Sequence, residues 1–170
     1  MVSFGDASNN VIEMGVTFNG EPIEWTPSLQ DVGHVLLSRT RDSNGKVLGT
    51  FTDDTQPTDD EVRILIDKAV ADMIPLIGTD IPDELIPEAQ HIASIRTAMY
   101  IEITFYANEV AMSRSVYPEL KVLYDEKLAS LAKAVVAVES GQSLVDAAAG
   151  AGGSPYYQYP PDDGLYWRPF

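Results

Sequence analysis

Apolar positions recur every three or four residues in four stretches of this chain, the spacing that gives a helix one buried face. Val32, Val35 and Leu36 mark the first helix, predicted over about residues 27–38, with Thr26 as its cap and Pro27 at the first helical position. Gly33 inside it costs roughly 1 kcal/mol relative to Ala, so this helix depends on packing. The second opens at Thr58: Glu61, three residues on, completes a capping-box pattern, and Asp59, Asp60 and Glu61 sit at the positive end of the helix dipole. Its apolar face is Val62, Ile66, Ala69 and Met73. Pro75, Gly78, Pro82 and Pro87 then predict a bent connection rather than more helix. Ile92, Ile95, Met99, Ile103, Tyr106 and Val110 predict one long third helix over residues 87–111, roughly 38 Å at 1.5 Å per residue. The fourth starts at Tyr117-Pro118 and carries Leu120, Tyr124, Leu128, Leu131, Val135 and Val138 to a stop at Gly141.

The remaining stretches lack the helical period. Residues 1–25 alternate weakly, and Asn19-Gly20 between Val16-Thr17-Phe18 and Ile23-Glu24-Trp25 suits a type I′ turn, which predicts an N-terminal β-hairpin arm. Residues 39–56 hold turn formers around Ser43-Asn44-Gly45 and a short alternating run from Lys46 to Phe51, a long loop with hairpin character. The expected fold is mainly α: a bundle of about four helices over 26–140, with the third and fourth as a long antiparallel pair, preceded by the arm at 1–25 and followed by a linker and extended tail at 141–170.

Charge narrows the partners. With 26 acidic against 11 basic residues the formal charge is −15, so neither nucleic acid nor an anionic membrane is expected to bind directly. Cysteine is absent, which removes disulfides, thiolate metal sites and cysteine nucleophiles. No stretch reads as a secretory signal or a membrane span, so a soluble protein made in the cytoplasm is expected.

Catalytic chemistry finds little purchase. The histidines, His34 and His91, fall on different predicted helices. The run from Asp42 resembles a calcium loop at positions one and three, but position six is Val47 instead of Gly and position twelve is Asp53 instead of Glu. Asp53, Asp54, Asp59 and Asp60 form an acidic cluster with a weak case for a divalent ion, and helix capping accounts for part of it. No nucleophile elbow, Walker loop or dinucleotide fingerprint occurs, and no cofactor or metal is implied. A metal-dependent enzyme built on residues 53–61 is the alternative to a structural role.

The terminal stretch Ser154–Phe170 contains four prolines and six of the fifteen aromatic residues. Burying each aromatic is worth roughly 4–6 kcal/mol by area, as an upper bound, against ordering costs of roughly 1–2 kcal/mol per residue. Such a segment docks only where most of its rings find pockets, and its prolines suit an extended path of up to ~55 Å, which favours a groove on another subunit.

Residues 36–73 resemble the head-to-tail adaptor (head completion, connector) proteins of siphovirus-type tailed bacteriophages. The residues carrying the likeness are Arg39-Thr40, Asp42, Gly45, Gly49, the run Phe51-Thr52-Asp53-Asp54-Thr55, Pro57-Thr58 and the Glu61-Val62 helix start. The likeness extends more loosely over residues 27–138. It implies a non-catalytic virion protein of the neck, assembled in the host cytoplasm into a ring, usually twelvefold. The ring joins the portal to a stopper or tail-side protein and continues the DNA channel without binding DNA specifically. It further implies that Tyr156, Tyr157, Tyr159, Tyr166, Trp167 and Phe170 dock on the portal, and that the loop carrying Arg39, Arg41, Asp42, Lys46, Phe51, Asp53 and Asp54 meets a neighbouring subunit or the next ring. Another neck or tail-completion ring protein, a stopper or terminator, is the alternative within that class, and would be richer in strands.

Overall fold

The computed structural model describes residues 17–18 and 21–141. Most of the arm, and the linker and tail from Gln142 onward, lie outside the described residues. The described chain is mainly helical: α1 (Leu29–Val35), α2 (Asp59–Ile77), α3 (Ile86–Phe105), α4 (Ala107–Ala111) and α5 (Tyr117–Glu139). Two short strands, β1 (Thr17–Phe18) and β2 (Glu21–Pro22), pair antiparallel before them.

Ser28, rather than Thr26, caps α1. Its hydroxyl accepts from the Asp31 amide at 3.2 Å while the Asp31 carboxylate accepts from the Ser28 amide at 2.9 Å. Thr26 instead closes the preceding turn on the Ile23 carbonyl, leaving Pro27 outside the helix. At α2 the capping box forms as its spacing predicts, with Thr58 and Glu61 each accepting from the other's backbone amide. Pro75 does not end α2. It stands close enough to the C-terminus that one lost amide donor is tolerated, and the buried Ile77 holds the last turn in place until Gly78, at φ +82°, stops it.

α3 is the axis of the fold. It packs against α1, α2 and α5, and from Ile92 to Glu102 every residue except Arg96 is buried. A single apolar stripe therefore understates it: Ala93, Ala98 and Ile101 are as buried as Ile92 and Ile95, whereas Ile103, assigned to the stripe, is 42% exposed. Small residues allow the close approach, and the hydroxyls of Ser94 and Thr97 turn back onto the carbonyls of Gln90 and Ala93 one turn earlier, so neither hydroxyl is stranded. α5 runs antiparallel to α3: Arg96 lies over the Tyr124 ring, and the Lys127 ammonium is 3.9 Å from the Glu88 carboxylate. Leu131 and Val135 are buried from α5, and complete burial of such side chains is worth roughly 1.5–3 kcal/mol each. The core also starts before α1, since Ile23 and the fully buried Trp25 belong to it.

The predicted third helix is not continuous. It breaks at Tyr106, where φ −123° and ψ 30° leave the helical region, before α4 resumes for five residues. The reason lies in the site that this break creates.

Candidate functional site

Glu102 and Glu109 are seven residues apart, which on an unbroken helix separates them by about 10.5 Å along the axis. One guanidinium could not grip both there. The turn at Tyr106 brings them together around Arg39, at the end of the 3₁₀ turn Leu37–Arg39 that follows α1. Arg39 Nε and Nη2 donate to the two Glu102 oxygens at 2.8 and 3.1 Å, and Nη2 and Nη1 to the two Glu109 oxygens at 2.7 and 3.3 Å. The guanidinium stacks 3.6 Å from the centroid of the Tyr106 ring. Glu102 is completely buried and also accepts from the Ser115 hydroxyl at 2.6 Å, and that hydroxyl accepts from the Tyr117 amide at the start of α5. Burial works to lower the Arg39 pKa, but the hydrogen bonds and charges of the two glutamates outweigh it and hold the guanidinium above its ordinary value.

This cluster mounts the loop of residues 40–58. Buried Thr40 accepts from the Gly49 amide at 3.1 Å, and its carbonyl takes the Leu48 amide at 2.8 Å. Between them Arg41 bridges to Val47, and the Asp42 carboxylate accepts from the amides of Asn44 and Lys46, closing the turn on itself. Asp42 is therefore engaged by backbone, which accounts for its position in the calcium-like pattern. Farther along, Phe51 is 2% exposed in the core, and the Thr55 hydroxyl lies 2.8 and 2.7 Å from the carbonyls of Thr52 and Pro57. Tyr106 donates its hydroxyl to the Gln56 carbonyl at 2.5 Å.

The seven loop residues thus divide by position. Arg39 and Phe51 point inward and hold the loop in place, whereas Arg41, Lys46, Asp53 and Asp54 are exposed and Asp42 is partly so. A polar hollow of about 520 Å³ lies between the turn and the start of α2, lined among others by Arg41, Asp42, Asp54 and Glu61. The six tail aromatics, from Tyr156 to Phe170, lie outside the described residues. Sequence reasoning missed Glu102, Glu109, Tyr106 and Ser115 as the loop's supports. A signal was present: Glu102 is the one charge in the run Tyr-Ile-Glu-Ile-Thr-Phe-Tyr, and a lone acid in an apolar helix needs a partner.

A second charged cluster sits where α2, α3 and α5 meet. Arg96 Nη2 donates to the Asp72 carboxylate at 2.7 Å, the Tyr100 hydroxyl donates to the same oxygen, and Lys68 lies 4.2 Å from the Tyr100 ring centroid. Burial acts to raise the Asp72 pKa, but hydrogen bonds from Tyr100 and Arg96, with the charges of Arg96 and Lys68, outweigh it and lower it. Asp53 is shifted oppositely, raised first by its hydrogen-bonding contact with Asp59 and then by the Asp59 charge. The two shifts give opposite pH signatures. A lowered folded pKa stabilises above the unfolded value of about 3.9 and loses that contribution as pH falls through the folded one; a raised one is a repulsion at neutral pH that fades on acidification. Asp72→Asn is expected to lower the melting temperature at pH 7 by the equivalent of no more than about 1 kcal/mol, since its side chain is 37% exposed and screened by solvent. Asp53→Asn is expected to raise it. The Asp53 difference from the parent should vanish by about pH 3, below the unfolded carboxylate pKa, whereas the Asp72 difference should persist below that unfolded value and disappear only as the pH falls through the lowered folded one.

Among the described residues no group of three or more His, Asp or Glu side chains is placed to hold a metal ion, and His34 and His91 are both exposed on their helices. No helix among them is long and apolar enough to cross a membrane. Neither protein-family models nor curated proteins nor solved structures match this chain.

Proposed function

We propose that this chain is a head-to-tail adaptor of a tailed bacteriophage, a structural virion protein that assembles as a ring between portal and tail-side neck proteins and continues the DNA channel. The observation that carries the reading is the ordered likeness of residues 36–73, from Arg39-Thr40 through Phe51-Thr52-Asp53-Asp54-Thr55 to the capped start of α2. The mainly helical fold supports an adaptor over the strand-rich stopper and terminator alternatives. A rigidly mounted loop with exposed Arg41, Lys46, Asp53 and Asp54 suits contact with a neighbouring copy or the next ring, because its presented side chains rest on a fixed backbone. The charge of −15 suits a channel wall from which DNA phosphates are repelled.

In this reading the aromatic tail grips the portal. Full-length protein mixed with portal should form rings visible by electron microscopy, and a variant ending at Gly153 should bind portal at least about tenfold more weakly, as expected when even one aromatic anchor is removed from its pocket. Its melting curve should match that of the full chain. Unchanged portal affinity in the truncated protein would remove the tail from the interface, and the absence of any ring with portal would remove the adaptor reading itself.

A further inference from the structure

Nothing in the residues themselves ends α3 at Phe105. Between Pro87 and Pro118 there is neither proline nor glycine, and the helical period runs on through Tyr106 and Val110. The backbone ladder nevertheless stops. The Tyr106 amide still reaches the Glu102 carbonyl at 3.0 Å, but among the described residues no backbone hydrogen bond joins Ala107 to Ile103 or Asn108 to Thr104. The Glu109 and Val110 amides both turn to the Tyr106 carbonyl, at 2.9 and 3.1 Å. Beyond the break, Ser113 sits at φ +55°, in the left-handed region that is costly for a residue with a β-carbon.

The broken form thus gives up hydrogen bonds and carries backbone strain, and what compensates is tertiary. Tyr106 holds both ends of the loop: its ring lies against Arg39 at the start, and its hydroxyl donates to the Gln56 carbonyl near the end. Glu109 completes the hold from α4 through two hydrogen bonds from Arg39.

We propose that the loop of residues 40–58 and the break at Tyr106 form one two-state switch: with the loop seated the helix is broken, and with the loop lifted α3 and α4 join into a single helix over residues 86–111. The two arrangements exclude each other, since on a continuous helix Glu102 and Glu109 stand about 10.5 Å apart and Arg39 keeps only one of them. The one it keeps is Glu102, which is fully buried and costly to strand. Glu109, already 44% exposed, is released to water. Chain length permits the change without moving α5. Tyr117 starts beside Glu102, because Ser115 hydrogen-bonds both, whereas Ala111 of the joined helix lies about 13.5 Å past that level. The connection from Ala111 to Tyr117 spans up to about 20 Å extended, enough once Ser115 lets go of Glu102. Coupling is then reciprocal: whatever draws the loop off its seat lengthens the helix, and whatever straightens the helix frees the loop. The switch does not depend on the adaptor reading.

Spin-label distances test it in the full-length chain, which has no cysteine of its own. Nitroxides on His91→Cys and Ala111→Cys, both exposed positions, stand about 30 Å apart along a joined helix and closer across the break. In the parent background the shorter distance should dominate. Glu109→Gln with Tyr106→Phe loosens the hold on α4 while leaving Arg39 on Glu102, and should raise the ratio of long to short distances by about tenfold, the order expected for losing a charge-assisted hydrogen bond. Gly33→Ala changes neither residue but presses on the loop at Gly49, and should raise the same ratio. A double variant that is folded by circular dichroism and keeps the short distance overturns the switch. So does a Gly33→Ala protein in which trypsin cuts faster after Arg41 and Lys46 while the distance stays short, because loop and break would then move independently. That second variant decides the matter if the first fails to fold.

Discussion

Arg39→Met is expected to lower the free energy of unfolding by about 3–5 kcal/mol, the cost of leaving a buried carboxylate without its partner. Glu102 has no exposed surface, and with the guanidinium gone its contacts reduce to the Ser115 hydroxyl. Methionine keeps much of the stem that packs near Tyr106, so the loss is mainly electrostatic. The double variant Arg39→Met/Glu102→Leu separates the stranded charge from lost packing: it should recover most of the stability, because an apolar pair of similar volume removes the desolvation problem along with the charge. Urea midpoints and slopes for parent, single and double variants provide the measurement. Equal losses in single and double variants would mean that the arginine works through shape. The loop should also loosen in the single variant, since Glu109 is then released toward solvent and Tyr106 loses the cation stacked on it.

Gly33→Ala is expected to destabilise the protein by about 1–3 kcal/mol, although alanine is the better helix former by about 1 kcal/mol. A β-carbon at this position would stand 2.4 Å from the Gly49 carbonyl oxygen and 2.8 Å from its carbon, which are backbone atoms and cannot rotate away. Nor can the loop retreat cheaply. The Gly49 amide is bonded to Thr40, and Gly49 itself holds a φ of +77° that a side chain would resist. The overlap must be relieved by lifting the loop from α1, so trypsin cleavage after the exposed Arg41 and Lys46 should accelerate alongside the fall in urea midpoint. A stabilised Gly33→Ala protein would show that loop and helix do not touch.

These two residues also show how far the sequence could be read. Gly33 was recognisable as a cost that packing must offset, but what packs there is a loop sixteen residues downstream, and no local pattern specifies that approach. Arg39 falls within the loop that the adaptor resemblance turns toward a neighbouring subunit or the next ring; its inward position depends on Glu102 and Glu109, more than sixty residues away, which no local pattern specifies. Where a signal is local, it held: Thr58 and Glu61 cap α2, and Val62, Ile66, Ala69 and Met73 are all buried, together with Val70 and Ile77. Where tertiary contacts compete, it failed in identifiable ways. Ser28 displaced Thr26 as a cap because Asp31 could reciprocate, α2 ran through Pro75 because Ile77 is buried beyond it, and the third helix broke at Tyr106 to serve Arg39. The hairpin arm, read from weak alternation around Asn19-Gly20, and the aromatic tail lie for the most part outside the described residues.

The burial of α3 on every side sets where this sequence is free to drift. Between Ile92 and Glu102, where three helices touch it, almost no side chain can change size without a matching change in a neighbour, so substitutions there must come in compensating sets. The outer faces of α2 and α5 carry no such linkage: Ile64, Leu76, Val122 and Val136 can each change alone. Recognition surfaces can therefore be rewritten one residue at a time around an axis that stays fixed, and new binding preferences need no new fold.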